Sequence, residues 1–237
     1  MIDRLRANSG ALVFPLLVLV SCATPNGRVE SPRLHDRWPA LRTIGLVAPT
    51  VDVDESAVDA DGWKRDAEEV VTATFGSELR KRGAEVIRVL PKPSTKDALA
   101  ALARRFDDSA ELAARAAKRG EGLALPGALG DLASLSKACG VDGFLLASAT
   151  AVPPAGAPRP SAVAQNQTSF QAIREAASGE GLSGQGLVRL GWLAAGIVDG
   201  NGEVLWFATT GTPGDEEGDL ATDVAAELAE KLPGKRR

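Results

Sequence analysis

The sequence has no tyrosine, one histidine and two cysteines, and aromatic residues make up only 4% of its 237 positions. So few aromatics leave the core to Leu, Val and Ala, with Trp63, Trp192, Trp206 and a few phenylalanines as large fillers. One histidine and one spare thiol are too few ligands for a zinc site. A serine nucleophile usually needs a histidine base, and His35 stands in a proline-rich stretch without hydrophobic periodicity. There is no G-x-x-x-x-G-K-[ST] segment, which argues against a nucleotide triphosphatase. A formal net charge of -4 gives the surface no overall attraction to nucleic acid, whose binding depends on Lys and Arg neutralising phosphates. The one concentrated basic patch, Lys235-Arg236-Arg237, reads as a solubilising end.

What is present begins at the amino terminus. Arg4 and Arg6 supply a positive segment, and Ala11 to Val20 supply an apolar run of about ten residues, as in a secretory leader. That run is shorter than the ~20 residues a transmembrane helix needs, and Pro15 interrupts it. Leu19-Val20-Ser21-Cys22 closes the segment and resembles the bacterial lipobox. The resemblance implies that the Cys22 thiol receives a diacylglyceryl group, that the leader is cut before it, and that the new amine is acylated. Two or more acyl chains hold a protein firmly where one binds only marginally. Ala23, where inner-membrane lipoproteins often carry Asp, points to the outer membrane. With Cys22 acylated, Cys139 has no partner for an internal disulfide and reads as a buried structural thiol.

The chain divides into a leader (1–21), a tether (22–40), a folded domain (41–232) with a loop insertion at 151–186, and a basic tail (233–237). "RTIGLVAP", "AEVIRVL", "VDGFLLASATAV", "GLVRLGWLAAGIV" and "EVLWFATT" read as strands. Trp63, Ala67, Val70, Val71, Phe75 and Leu79 recur at helical spacing, and Gly83 after a basic turn ends that helix. Residues 96–118 are helical in pattern, with a break expected at Asp107-Asp108 and Ser109 as a new N-cap. Asp199-Gly200-Asn201-Gly202 supplies a hairpin turn, and "LATDVAAELAEKL" a last amphipathic helix. This order describes an α/β (α+β) sandwich, a mixed sheet of about five strands flanked by helices in a single domain.

"TIGLVAP", "GAEVIRVL", "CGVDGFLLAS" and "IVDGNGEVLWF" together resemble the periplasmic modules of the CsgG, TolB amino-terminal and LpoB-like type, found on bacterial envelope lipoproteins. The insertion at 151–186 departs from that pattern. The resemblance implies action by binding, in secretion, assembly or activation of wall synthesis, and offers no catalytic residue to carry over.

Other motifs have plainer readings. "GEGLSG" at 179–184 satisfies G-x-G-x-x-G, but it precedes a strand instead of opening a helix, so it lacks the dinucleotide context, and Ser183 within it lacks a base. Asp52, Asp54, Asp59 and Asp61 are calcium candidates, without the glycine and distal glutamate of the helix-loop-helix site. Trp192 and Trp206 fill the core or, if exposed, anchor an interface. The expectation is a lipid-anchored periplasmic protein that binds, assembles or assists secretion, without enzymatic activity or cofactor. Its partners would be the bacterial membrane, an envelope protein and, through an exposed edge strand, a second copy; nucleic acid is not among them. The alternatives are a carboxylate-dependent cell-wall hydrolase and a small-ligand or calcium-binding lipoprotein.

Overall fold

A near-continuous apolar run, Gly143–Val152, forms a ten-residue strand buried on both faces, and the rest of the molecule is arranged around it. The computed structural model describes residues 27–53, 60–152, 188–211, 213 and 218–234. In chain order these form β1 (Gly27–Glu30), α1 (Leu34–Arg37), a 3-10 turn (Trp38–Ala40), β2 (Thr43–Leu46), β3 (Thr50–Val53), α2 (Ala60–Lys81) and β4 (Glu85–Arg88). Then follow α3 (Lys96–Lys118), α4 (Ala133–Cys139), β5 (Gly143–Val152), β6 (Arg189–Asp199), β7 (Val204–Gly211), β8 (Asp219–Leu220) and α5 (Ala221–Glu230).

The strands form one mixed sheet in the order β1-β7-β6-β5-β2-β4, with β3 also beside β5 and β8 beside β6. β2 runs parallel to β4 and β5, and β3 parallel to β5, whereas the β1, β6, β7 and β8 pairings are antiparallel. Period-2 alternation sends Leu145, Ala147 and Ala149 of β5 into one core with Phe75 and Leu79 of α2 and Val224 and Leu228 of α5. Phe144 and Leu146 face the opposite core, with Leu102 and Phe106 of α3 and Leu135 of α4. A bulge between Ile197 and Val198 inserts Leu205 opposite them, so Leu205 and Trp206 both reach the first core.

The α/β sandwich expected from sequence is present, with eight strands where about five were expected. The three additions are short. β3 comes from the stretch that begins the run of calcium candidates at Asp52; its Thr-Val-Asp-Val alternates, burying Val51 and exposing Asp52. β8 is two residues long. β1 comes from the expected tether. Residues 27–40 pack on the domain: β1 pairs with β7, Leu34 and Trp38 are buried, and Trp38 Nε1 donates to the Gly234 carbonyl at 3.0 Å. A four-residue strand and a one-turn helix carry too few apolar positions to show a period in sequence.

Helix α2 ends as its sequence indicates, with Gly83 at φ 86° and its N–H donating to the Arg80 carbonyl. Helix α3, by contrast, does not break. Asp107 turns to the sheet, where the Ser148 hydroxyl donates to it, and Ser109 Oγ donates back to the Arg105 carbonyl at 2.7 Å. That i-4 bond satisfies the serine inside the helix, so no cap is needed there.

Candidate functional site

Cys22 and the residues expected to form a lipobox with it, Leu19, Val20 and Ser21, lie outside the described residues, as do Asp54, Asp59, Ser183 and the glycines at 179–184. Of the calcium candidates, Asp52 is exposed on β3 and Asp61 is exposed in the first turn of α2, where an acid suits the helix dipole. Among the described residues no group of three or more His, Cys, Asp or Glu is placed to hold a metal ion.

Trp192 and Trp206 are core residues, 3% and 0% exposed, so neither presents an anchor on the surface of this chain. They stand on central strands whose two faces are both covered. Each indole N–H has a partner: Trp192 Nε1 donates to Thr209 Oγ1 at 2.9 Å, and Trp206 Nε1 to the Lys231 carbonyl at 2.9 Å. The second bond ties the end of α5 to β7.

The β6–β7 hairpin is organised by Asp199, a buried carboxylate at the last position of β6. Its Oδ1 accepts from the backbone N–H groups of Asn201 (2.9 Å) and Glu203 (3.0 Å). Gly202 has φ +81°, and a Cβ there would meet the Gly130 carbonyl oxygen at 1.7 Å, so only glycine fits. Glu203 accepts from Ser31 Oγ and Arg33 Nη1, each at 3.0 Å, and Arg37 Nη1 lies 3.8 Å from Asp199. The hairpin that sequence reading marks as a turn is thus also a dock for residues 31–37.

Burial raises the Asp107 carboxyl above the usual range; the Ser148 hydroxyl opposes this, while Asp108, Glu111 and Asp52 add to it. Glu68 is raised by burial and partly relieved by Lys64 and Arg88. The Cys139 thiol is also raised by burial, against a smaller pull from Lys92. It is half-buried beside the second core, and it stays protonated and weakly nucleophilic near neutral pH.

A groove of about 320 Å³ runs between the first half of α3 and α4, lined by Ser94, Thr95, Ala98, Arg105, Asp131 and Leu135 among others. Among the described residues that line it, Asp131 is the one carboxylate, and it accepts from the Ala133 N–H at 2.9 Å. Arg105 is engaged with the Leu129 carbonyl at 2.9 Å. Elsewhere, Ile87 (37%) and Leu90 (66%) stand exposed at and just beyond β4. β4 and β1 are the two ends of the sheet order, each with one strand neighbour among the described residues. No described helix is long and apolar enough to cross a membrane.

No family model matches the sequence, and no curated protein matches it. Solved structures with a similar arrangement include a PelC dodecamer from Paraburkholderia phytofirmans, at 12% identity and TM-score 0.36 over 87% of this chain and 91% of that one. Lipoprotein GNA1162 from Neisseria meningitidis is similar at 15% identity and TM-score 0.30, over 71% and 79% of the two chains. A neuraminyllactose-binding hemagglutinin homolog from Helicobacter pylori is similar at 8% identity and TM-score 0.34, over 82% and 84%. At these identities and TM-scores the likenesses assign neither family, ligand nor activity to this chain.

Proposed function

We propose that this chain is a bacterial envelope lipoprotein, acylated at Cys22, whose α/β domain works in the periplasm by binding an envelope protein in assembly or secretion. The observation that carries the reading is Leu19-Val20-Ser21-Cys22, set behind a charged and then apolar leader and five residues before the first strand. The open β4 edge, with Ile87 and Leu90 exposed beside it, supports a binding role.

The test is metabolic labelling with a clickable fatty acid in a Gram-negative host, comparing the wild type with Cys22→Ser. Label on the wild type alone, with Cys22→Ser retained as a larger unprocessed precursor, supports the anchor. Equal labelling of both, or none on either, refutes it. In-cell cross-linking then tests the binding role: an envelope protein captured by the anchored form and lost when an ordinary secretory leader replaces residues 1–22 supports it. No reproducible capture by either form counts against it.

A further inference from the structure

The start of the folded domain sets how the anchor holds it. A tether over residues 22–40 would reach about 65 Å and let the domain tumble freely. The structure instead begins β1 at Gly27. From Cys22 to Gly27 is five Cα steps, which span at most about 18 Å in any conformation.

That reach is short against the domain. The sheet order β1-β7-β6-β5-β2-β4 has β1 at one end and β4 at the other. At about 4.8 Å per strand spacing, β4 is about 24 Å from β1. An orientation with β4 against the bilayer would lift Gly27 beyond the reach of the anchor. The hairpin end is disfavoured in the same way. Gly27 pairs with Thr209, and β7 begins at Val204. The intervening strand is about 17 Å long, and the turn at 200–203 lies beyond it. Placing that turn on lipid would use the whole reach, with the chain reversing direction as it enters β1. Charge does not choose between the edges, because Arg28 and Arg33 accompany β1 while Arg88 and Lys92 accompany β4.

We infer that the lipid anchor keeps the β1 edge within about 18 Å of the bilayer, and so nearer the lipid on average than the β4 edge about 24 Å further across the sheet. The inference rests on acylation of Cys22. Ile87 and Leu90, exposed on and just beyond β4, then belong to the edge farther from lipid and stay open to a partner in the aqueous phase.

The test uses the full lipidated chain carrying Cys139→Ser, reconstituted in phosphatidylethanolamine–phosphatidylglycerol vesicles. One new cysteine, Arg28→Cys or Arg88→Cys, carries a fluorophore, and the vesicles contain a nitroxide-headgroup lipid. The expected result is quenching several-fold stronger at position 28 than at position 88. Equal quenching, or stronger quenching at 88, overturns the inference. Inserting about 12 flexible residues between Asn26 and Gly27 should shrink the contrast, since the reach then exceeds the domain. A contrast that survives the insertion undiminished would show that something other than reach orients the domain. Flotation separates the two levels. A Cys22-dependent float with the wrong quenching pattern removes the orientation alone, while failure of the intact chain to float removes the anchor and the orientation together.

Discussion

Gly196 of β6 lies directly under Phe106 of α3, and replacing it with alanine is expected to destabilise the domain. A Cβ at this position would stand 2.6 Å from Phe106 Cε2, 3.2 Å from its Cζ and 3.4 Å from the Trp206 carbonyl oxygen. The phenyl ring has nowhere to retreat. Phe106 is fully buried and meets Phe207 edge-on, with centroids 6.2 Å apart and planes at 68°. The strand cannot yield either, because Gly196 is paired with Leu146 on one side and Phe207 on the other. Overpacking of this kind costs about 1–3 kcal/mol. Alanine returns about 0.4–1 kcal/mol by narrowing the unfolded ensemble, so the net loss is about 1.3 kcal/mol at the midpoints of the two ranges. Urea unfolding of the Cys22→Ser protein, followed by fluorescence of its buried tryptophans, should show a lower midpoint at unchanged slope. Phe106→Leu withdraws the ring, so the Gly196→Ala/Phe106→Leu double variant should lose at least ~0.5 kcal/mol less than the sum of the two single changes. Gly196→Ala as stable as the parent, or strict additivity, would refute the contact as the reason for glycine.

Three further outcomes follow from the same structure. The Asp107 carboxyl is raised in the folded state, so the native chain holds its proton more tightly than the unfolded one. Its contribution to stability therefore declines as pH rises from the ordinary aspartate value near 3.9 through the raised native value. Asp107→Asn, whose amide oxygen can still accept from Ser148, should be at least as stable near pH 7 and should flatten that part of the stability–pH curve; a steeper curve would contradict burial as the cause. Arg82 Nη1 donates to the carbonyls of Leu232 and Pro233 at 2.9 Å and Nη2 to that of Glu230 at 3.1 Å, fastening the end of α5 to α2. Arg82→Ala should cost about 1.5–3 kcal/mol and speed hydrogen exchange at the end of α5 and in residues 231–234, with Arg82→Lys recovering only part because it lacks the fork. Asp199→Ala strands two hairpin N–H groups and should cost about 1–3 kcal/mol, whereas Asp199→Asn, which keeps an acceptor oxygen, should cost less; equal losses would count against the turn bonds as the cause.

The long elements were legible in the chain because their periods are long enough to count. Leu99, Leu102, Phe106 and Ala110 mark one face of α3, the unbroken apolar run of β5 reports cover on both faces, and Asp199-Gly200-Asn201-Gly202 announces its hairpin. The same local chemistry misled at Asp107-Asp108, where propensity suggests a break. Sheet contact decided otherwise, since Ser148 supplies the partner that keeps Asp107 inside a continuous helix. The resemblance of Leu19-Val20-Ser21-Cys22 to a lipobox is readable because it rests on four contiguous residues.

Tertiary structure alone decided two things: that residues 27–40 belong to the domain, and that β1 and β4 are the opposite ends of the described sheet order. Strand order and edge position depend on pairings between residues as distant as Val29 and Phe207, and a four-residue strand leaves no periodic trace of its partner. That residues 27–30 join the sheet is therefore decided by a long-range pairing, the hydrogen bonds of β1 to β7.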